Sequence, residues 1–259
     1  MSNSVVIHNK IKSFNKIISV SGDKSLSIRW VLMSSLANGV SKANNLLMSE
    51  DVLATIKVVK KLGIKSKIFK NKCTIFGNGL EGYKYKKDIV LNAENSGTLG
   101  RLILGLIINT NYPIKLVGDK SLSKRDFSRV SKPLSKFGAR FKLKNNKNLP
   151  LTIFGSTKLK PIKYVEKKGS AQVKSSIIFG GLRSDGATVI RAKKSRNHTE
   201  LLCKYLNIPI TIFINSSTLD GKIFWRDKIR YLIENKMVSK YISISNLFQK
   251  KHINKFYTV

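Results

Sequence analysis

The alternation of strand-like and helix-like runs is what most constrains the fold of this chain. Read by hydrophobic period, the order is βαβαββ, and it recurs about three times in units of roughly 65 to 95 residues. In the first unit Ile17–Val20 reads as a strand and Lys24–Ala37 as a helix ended by Asn38-Gly39. Ser49 caps a second helix, about Glu50 to Leu62, with Asp51 in its first turn and Lys60 and Lys61 in its last. Two β runs, Ile64–Phe69 and Cys73–Phe76, follow around the hairpin link Lys70-Asn71-Lys72. The second unit is predicted as strand Ile89–Asn92, apolar helix Gly97–Asn109, strand Ile114–Val117, helix Ser128–Phe137 and the β pair Arg140–Lys144 and Leu151–Phe154. The third runs through strand Tyr164–Glu166, helix Ala171–Phe179 ending in Gly180-Gly181, strand Thr188–Arg191, helix His198–Leu206 and strand Ile208–Ile214. From about Ser216 the rhythm is lost. The pattern predicts an α/β domain made of three like units.

A chain of 259 residues, 42% hydrophobic, can bury the core of one large domain or two ordinary ones. Its 49 Lys+Arg against 14 Asp+Glu give a net charge of +35, which suits an anionic partner. A compositional reading competes, because lysine is spread along the chain and not gathered into one block. Aromatic residues have no regular spacing within basic stretches, which disfavours specific nucleic-acid binding. Cys73 and Cys203 lie far apart and fit a reduced cytosol. His8, His198 and His252 are scattered, so a bound metal is not expected. Lys10, Lys12 and Lys16 interrupt the early apolar residues, and the longest apolar run, Leu102 to Ile108, is too short for a bilayer. The expectation is a cytoplasmic protein without a membrane partner.

The candidate chemistry stands at helix starts. Ser21-Gly22-Asp23-Lys24-Ser25-Leu26-Ser27-Ile28-Arg29 opens the first long helix. Gly22 permits a tight turn, the helix N-terminus offers unpaired N–H groups, and Ser25, Lys24 and Arg29 add a hydroxyl and fixed positive charge. The string GDKSLS with its arginine recurs at Gly118–Arg125, which predicts an internal duplication; within it Arg125 is a sharper candidate than Lys120. Asn95-Ser96-Gly97-Thr98-Leu99-Gly100-Arg101 starts the most apolar helix, with Arg101 read equally as a structural ion-pair residue. Gly169-Ser170-Ala171-Gln172-Val173-Lys174-Ser175 and Ser195-Arg196-Asn197-His198-Thr199-Glu200 precede two more, and Glu200 can complete a capping box with Asn197. Any one start is equally an ordinary capped helix with solvated charges. Five on one repeated architecture can converge on one polyanionic ligand. Neither GxxxxGK[ST] nor GxGxxG occurs, so P-loop and dinucleotide readings fail.

In order and spacing, SGDKSLSIR, LNAENSGTLGR, GDKSLSKR, GSAQVKSS and SRNHTE resemble the 3-phosphoshikimate 1-carboxyvinyltransferase (EPSP synthase) family, over roughly residues 10 to 210. The resemblance implies the enolpyruvyl transferase fold, an inside-out α/β barrel. Its two domains, each of three βαβαββ units, close over shikimate 3-phosphate and phosphoenolpyruvate without a cofactor. It implies that Lys24 meets both ligands and takes part in catalysis, and that Ser25, Arg29, Ser170, Ala171, Gln172 and Arg196 hold shikimate 3-phosphate. Asn95, Gly97, Thr98 and Arg125 would line the phosphoenolpyruvate site, with Gln172 reaching both ligands. GSAQVKSS and SRNHTE are nearest the glyphosate-tolerant bacterial subgroup, whereas Gly97 is the residue of sensitive members.

The chain is expected to depart from the family in its second domain, most of which this sequence does not match. Residues 21–214 are expected to form one complete domain. Residues 1–20 would be strands of the incomplete second domain, and 215–259 a divergent remnant of it. The family draws its acid and base carboxylates from that domain. Ser216-Ser217-Thr218-Leu219-Asp220-Gly221 and Tyr231-Leu232-Ile233-Glu234 resemble a second-domain stretch, which makes Glu234 the candidate catalytic carboxylate. Smaller departures are Ser21 for Pro, Ile28 for His, Glu94 for Gly and Asn197 for Asp. The first reading is an active transferase, a monomer or one completed by a separate chain that supplies the second domain. The second is a homologue that binds shikimate 3-phosphate without turnover. Behind these stand a UDP-N-acetylglucosamine enolpyruvyl transferase relative and a basic nucleic-acid binder.

Overall fold

The computed structural model describes residues 6, 20–80, 82–208, 210–214, 221–224 and 241–243, the strands after residue 210 as backbone. The first unit comprises α1 (Lys24–Ser35), β1 (Asn38–Asn44), α2 (Glu50–Lys61) and the hairpin of β2 (Lys65–Phe69) and β3 (Lys72–Asn78). The second comprises β4 (Val90–Asn92), α3 (Gly97–Leu106), β5 (Ile114–Val117), α4 (Lys120–Ser123), α5 (Ser128–Ser135), β6 (Arg140–Lys144) and β7 (Asn148–Phe154). The third comprises β8 (Lys163–Glu166), α6 (Ala171–Gly181), β9 (Val189–Ala192), α7 (His198–Tyr205), β10 (Thr211–Ile214) and β11 (Gly221–Phe224). A last strand, β12 (Tyr241–Ser243), follows.

Three four-stranded sheets result, in the orders β12-β1-β3-β2, β4-β5-β7-β6 and β8-β9-β11-β10. Each has one parallel pair at one side and two antiparallel pairs beyond it. Parallel strands need a crossover, and α3 and α6 supply it for the second and third sheets. The first sheet solves the same problem differently. The place beside β1 that β4 and β8 fill in their own sheets is taken by β12, with Lys42 opposite Tyr241. The strand expected over 17–20 does not fill it among the described residues: 17–19 lie outside them, and Val20 carries no strand.

Two findings concern the chain after Ile214. β11 pairs with both β9 and β10, and β12 pairs with β1. These segments lie in the span expected to be a remnant of another domain, yet their backbone completes the sheets of this one. Backbone pairing needs no side-chain rhythm, so the loss of pattern after Ser216 gave no warning. One correction concerns β1, a strand the sequence pattern did not predict. Asn38-Gly39-Val40-Ser41-Lys42-Ala43-Asn44 has little strand propensity, but β3 on one side and β12 on the other force it. The helix before it ends at Ser35, short of the expected Ala37.

α1 and α6 show where the core sits. Every residue of α1 from Leu26 to Ser35 is buried, and every residue of α6 from Val173 to Gly181. A helix buried on all faces is surrounded. The sheets alternate, with β5 and β7 burying every other residue and exposing the other face. Helices therefore fill the centre and sheets form the wall. Close approach is built in at Gly105, where a Cβ would lie 2.2 Å from the Ser176 carbonyl oxygen, so α3 and α6 pack nearly backbone to backbone.

Candidate functional site

The first helix of each unit begins with a side-chain cap. Asp23 accepts from the Leu26 N–H at 2.7 Å in α1, Ser96 from Leu99 at 3.3 Å in α3, and Ser170 from Val173 at 3.4 Å in α6. Because the three units repeat, these three starts come to one end of the helical core. The positive ends of three dipoles then share one surface.

Arg29 ties α1 to the other units. It is 2% exposed. Its Nε donates to Thr199 Oγ1 (2.7 Å), one Nη to Ser175 Oγ (3.0 Å), and the other to both Oγ and O of Ser25 (2.6 and 2.9 Å). Thr199 in turn donates to Ser175 at 2.7 Å. Burial pulls the Arg29 pKa down to about 10 against the opposing pull of Glu200 and Asp23, which still leaves it a cation at neutral pH. Beneath it, Lys174 of α6 pairs with Glu200 of α7, both nearly buried. Glu200 thus turns inward, and Asn197 makes no side-chain cap bond, so the expected capping box does not form.

A second set of contacts crosses the other helix starts. Lys24 Nζ lies 2.9 Å from Asp51 Oδ2, at the start of α2. Burial raises the Asp51 carboxyl, but hydrogen bonds from Ser96 and Lys24 and the charges of Lys24 and Arg125 outweigh it, holding the pKa below the usual carboxylate value. Arg125 donates to Asn95 Oδ1 at 3.2 Å. Arg101 donates to Gln172 Oε1 (2.7 Å) and to the Asp126 carbonyl (3.3 Å), and lies over the Phe127 ring. Gln172 Nε2 donates onward to Thr98 Oγ1 at 3.1 Å. Gly97 sits between the two guanidinium groups: a Cβ there would lie 3.0 Å from Arg125 Nη1 and 3.2 Å from Arg101 Nη1. Burial, followed by the charges of Arg129 and Arg125, lowers the Arg101 pKa.

The contacts gather these residues into three groups: Lys24 with Asp51, Ser25 and Arg29 with Ser175 and Thr199, and Asn95, Gly97, Thr98, Arg125 and Gln172 around the Arg101 and Arg125 guanidiniums. Ser170 and Ala171 begin the helix that carries Gln172. Arg196 is exposed, near enough to Arg29 and His198 for its charge to lower the pKa of both. Glu234 lies outside the described residues. Pattern reasoning missed Asp51, which it took for a helix-start residue, and the Lys174–Glu200 pair. Arg101 binds an amide and a carbonyl where an ion pair was one expectation. No local signal separates these roles, since each depends on which residue the other units bring close.

The two GDKSLS copies occupy inequivalent places. The first opens α1, the counterpart of α3 and α6; the second follows β5, as α2 follows β1 and α7 follows β9. Internal duplication is thus not what relates them, because a duplicated unit would return the string to the same step of the repeat. Only the local cap is shared, Asp119 accepting from Leu122 N–H at 2.6 Å as Asp23 does from Leu26.

The model of the family described as EPSP synthase (3-phosphoshikimate 1-carboxyvinyltransferase) matches residues 8–235. The chain belongs to the EPSP synthase family. Among curated relatives, the 3-phosphoshikimate 1-carboxyvinyltransferase of Caldicellulosiruptor bescii is 43% identical over 196 residues, 75% of this chain and 45% of the relative. That of Petrotoga mobilis is 38% identical, over 83% of this chain and 52% of the relative. A solved EPSP synthase from Acinetobacter baumannii superposes with a TM-score of 0.74 at 32% identity, covering 81% of this chain and 46% of the other. The chain spans about half the length of the EPSP synthase relatives it matches. Its α/β architecture is that of the enolpyruvyl transferase fold. Among the described residues no helix is long and apolar enough to cross a membrane.

Proposed function

We propose that this chain provides the substrate-holding half of an enolpyruvyl transfer. The enolpyruvyl group of phosphoenolpyruvate moves to the 5-hydroxyl of shikimate 3-phosphate, giving 5-enolpyruvylshikimate 3-phosphate and phosphate. One observation carries the reading: five segments far apart in sequence are drawn by side-chain bonds into one cationic surface, where Arg29 reaches Ser175 and Thr199, Gln172 reaches Thr98 and Arg101, and Arg125 reaches Asn95. Two phosphorylated anions need that much positive charge in one place.

In this reading Ser25, Arg29, Ser170, Ala171, Gln172 and Arg196 hold shikimate 3-phosphate. Asn95, Gly97, Thr98 and Arg125 hold phosphoenolpyruvate, and Gln172 and Lys24 touch both ligands. The 5-hydroxyl gives its proton to a carboxylate base as its oxygen bonds to C2 of phosphoenolpyruvate, while C3 gains a proton from an acid. The adduct then loses phosphate from C2 and a proton from C3, which restores the double bond. Lys24, aimed by Asp51, holds the phosphate of phosphoenolpyruvate and offsets the negative charge that the phosphate gains as it leaves C2. The proton-moving carboxylates come from a second domain, either through Glu234 or on a separate chain; otherwise the protein works as a cytoplasmic monomer.

Calorimetric titration with shikimate 3-phosphate, followed by phosphate-release assays with both substrates, tests the reading. Binding of shikimate 3-phosphate is expected. A chain that leaves it unbound would overturn the proposal. Binding to RNA or DNA that falls steeply with salt would favour a charge-driven nucleic-acid binder instead.

A further inference from the structure

β8 ends in Glu166, a carboxylate 5% exposed that the site described above does not use. Its Oε1 accepts from the Lys168 N–H at 3.1 Å and its Oε2 from the Ser170 N–H at 2.8 Å. One side chain thus spans the turn that leads into α6. Its main chain reaches a second segment. Glu166 stands opposite Ala192 in the parallel β8–β9 pair, and its carbonyl accepts from the Lys193 N–H at 3.2 Å. Lys193 begins the stretch that leads to Arg196. The two stretches also touch at Gly169, which adopts φ +70 and approaches so closely that a Cβ would lie 3.1 Å from the Lys194 carbonyl oxygen.

A buried carboxylate is costly without partners, and N–H groups from a tight turn are strong ones. The turn is equally dependent on the carboxylate. Without it the Lys168 and Ser170 amides lose their acceptor, and Gly169, already in the left-handed region, holds the turn less firmly. The Ser170 N–H is committed to Glu166. The groups left at this helix start are the Ser170 hydroxyl and the N–H groups of Ala171 and Gln172, the first two of α6.

We infer that Glu166 is a positioning residue for the phosphate site. It fixes the 167–170 turn against the 193–196 stretch so that Ser170, Ala171 and Gln172 meet the same phosphate as Arg196. The inference rests on the reading that these residues hold the phosphate of shikimate 3-phosphate, and it adds the group that sets their spacing.

The test uses the whole chain and the Glu166→Gln variant, with Glu166→Asp as a second variant that keeps the charge but shortens the reach. Amide hydrogen exchange at Lys168 and Ser170 is read first, then affinity for shikimate 3-phosphate and for shikimate lacking the phosphate. In Glu166→Gln one amide meets an NH2 group in place of an oxygen. Exchange at that amide is expected to rise, and affinity for shikimate 3-phosphate to fall about tenfold while that for shikimate stays level. Glu166→Asp is expected to fall between. Unchanged exchange in both variants overturns the inference. So does an equal loss of both ligands, which would mark Glu166 as a fold residue only. If the wild-type chain binds neither ligand while Glu166→Gln speeds exchange at Lys168 or Ser170, the substrate reading fails but the turn-fixing role stands.

Discussion

The two GDKSLS segments start alike and end in different environments. In both, an aspartate caps the N–H three residues on; close approach requires the glycine only in the first, where a Cβ on Gly22 would lie 2.1 Å from the Asn45 carbonyl oxygen, whereas one on Gly118 would lie 2.7 Å from the Leu122 side chain and 3.0 Å from the Glu94 carbonyl oxygen. Beyond the cap they diverge. The first continues as a twelve-residue helix in the core, and its arginine is buried among hydroxyls. The second stops after four residues, and Arg125 stays exposed beside Asn95 and Gly97. Identical letters thus yield one cation built into the scaffold beneath the proposed site, and one left at the surface of that site.

The strongest way to break this contrast is at the carboxylate beneath the first copy. Glu200→Ala leaves Lys174 buried without its partner and removes the negative charge that most offsets the burial of Arg29. A loss of about 3–5 kcal/mol in denaturant-measured stability is expected, as for a broken buried pair. Asp126→Ala, beside the second copy, removes the bonds to Ser128 and to the Arg129 N–H and should cost about 1 kcal/mol. Next come the arginines themselves. Arg29→Ala removes charge-assisted bonds to three side chains and should cost about 2–3 kcal/mol of stability as well as ligand binding. Arg125→Ala should stay within about 0.5 kcal/mol in stability while weakening phosphoenolpyruvate binding. Comparable losses of stability in the two variants would erase the contrast.

Gly97→Ala sharpens it from the ligand side. The added methyl presses on Arg125 and Arg101, so phosphoenolpyruvate affinity should fall about tenfold while shikimate 3-phosphate affinity is largely kept. The caps give a smaller difference. Asp23→Ala should cost about 1 kcal/mol because a long buried helix depends on it, and Asp119→Ala only a few tenths. Titration gives the smallest effect, and it attaches to the first copy through His198. Burial and the Arg29 charge lower the His198 pKa below 6.5 in the folded chain, against the pull of Asp23. The unfolded histidine therefore takes a proton that the folded one refuses. Stability should be fully present above 6.5 and decline as pH falls below it. His198→Gln should remove that part of the slope in thermal unfolding measured across pH 5–7.

The elements that could be read from the sequence were those whose own residues dictate them. β5 and β6 fall where the hydrophobic alternation puts them, and α6 begins at Ala171 as its capping serine predicts. β1, β11 and β12 could not be read, because what makes them strands is a partner's unpaired backbone and not their own side chains. The site divides in the same way. Lys24, Arg29, Gly97, Arg125 and Gln172 announce themselves through small polar helix starts followed by a cation or amide. Asp51 and Glu166 do not, since a carboxylate at a helix start or strand end looks like any other until the chain brings it a partner.

By itself the sequence determined the threefold strand–helix rhythm, the family to which the chain belongs, and the five segments that carry its cations. Those are set by local period, capping chemistry and the order of motifs, which do not depend on distant contacts. Only the tertiary structure decided that the two GDKSLS copies are unrelated by the repeat, that β12 completes the first sheet, and that Asp51 and Glu200 balance the charges around the site. Pairing, burial and electrostatics are properties of neighbours in space, and a chain does not state its neighbours one residue at a time.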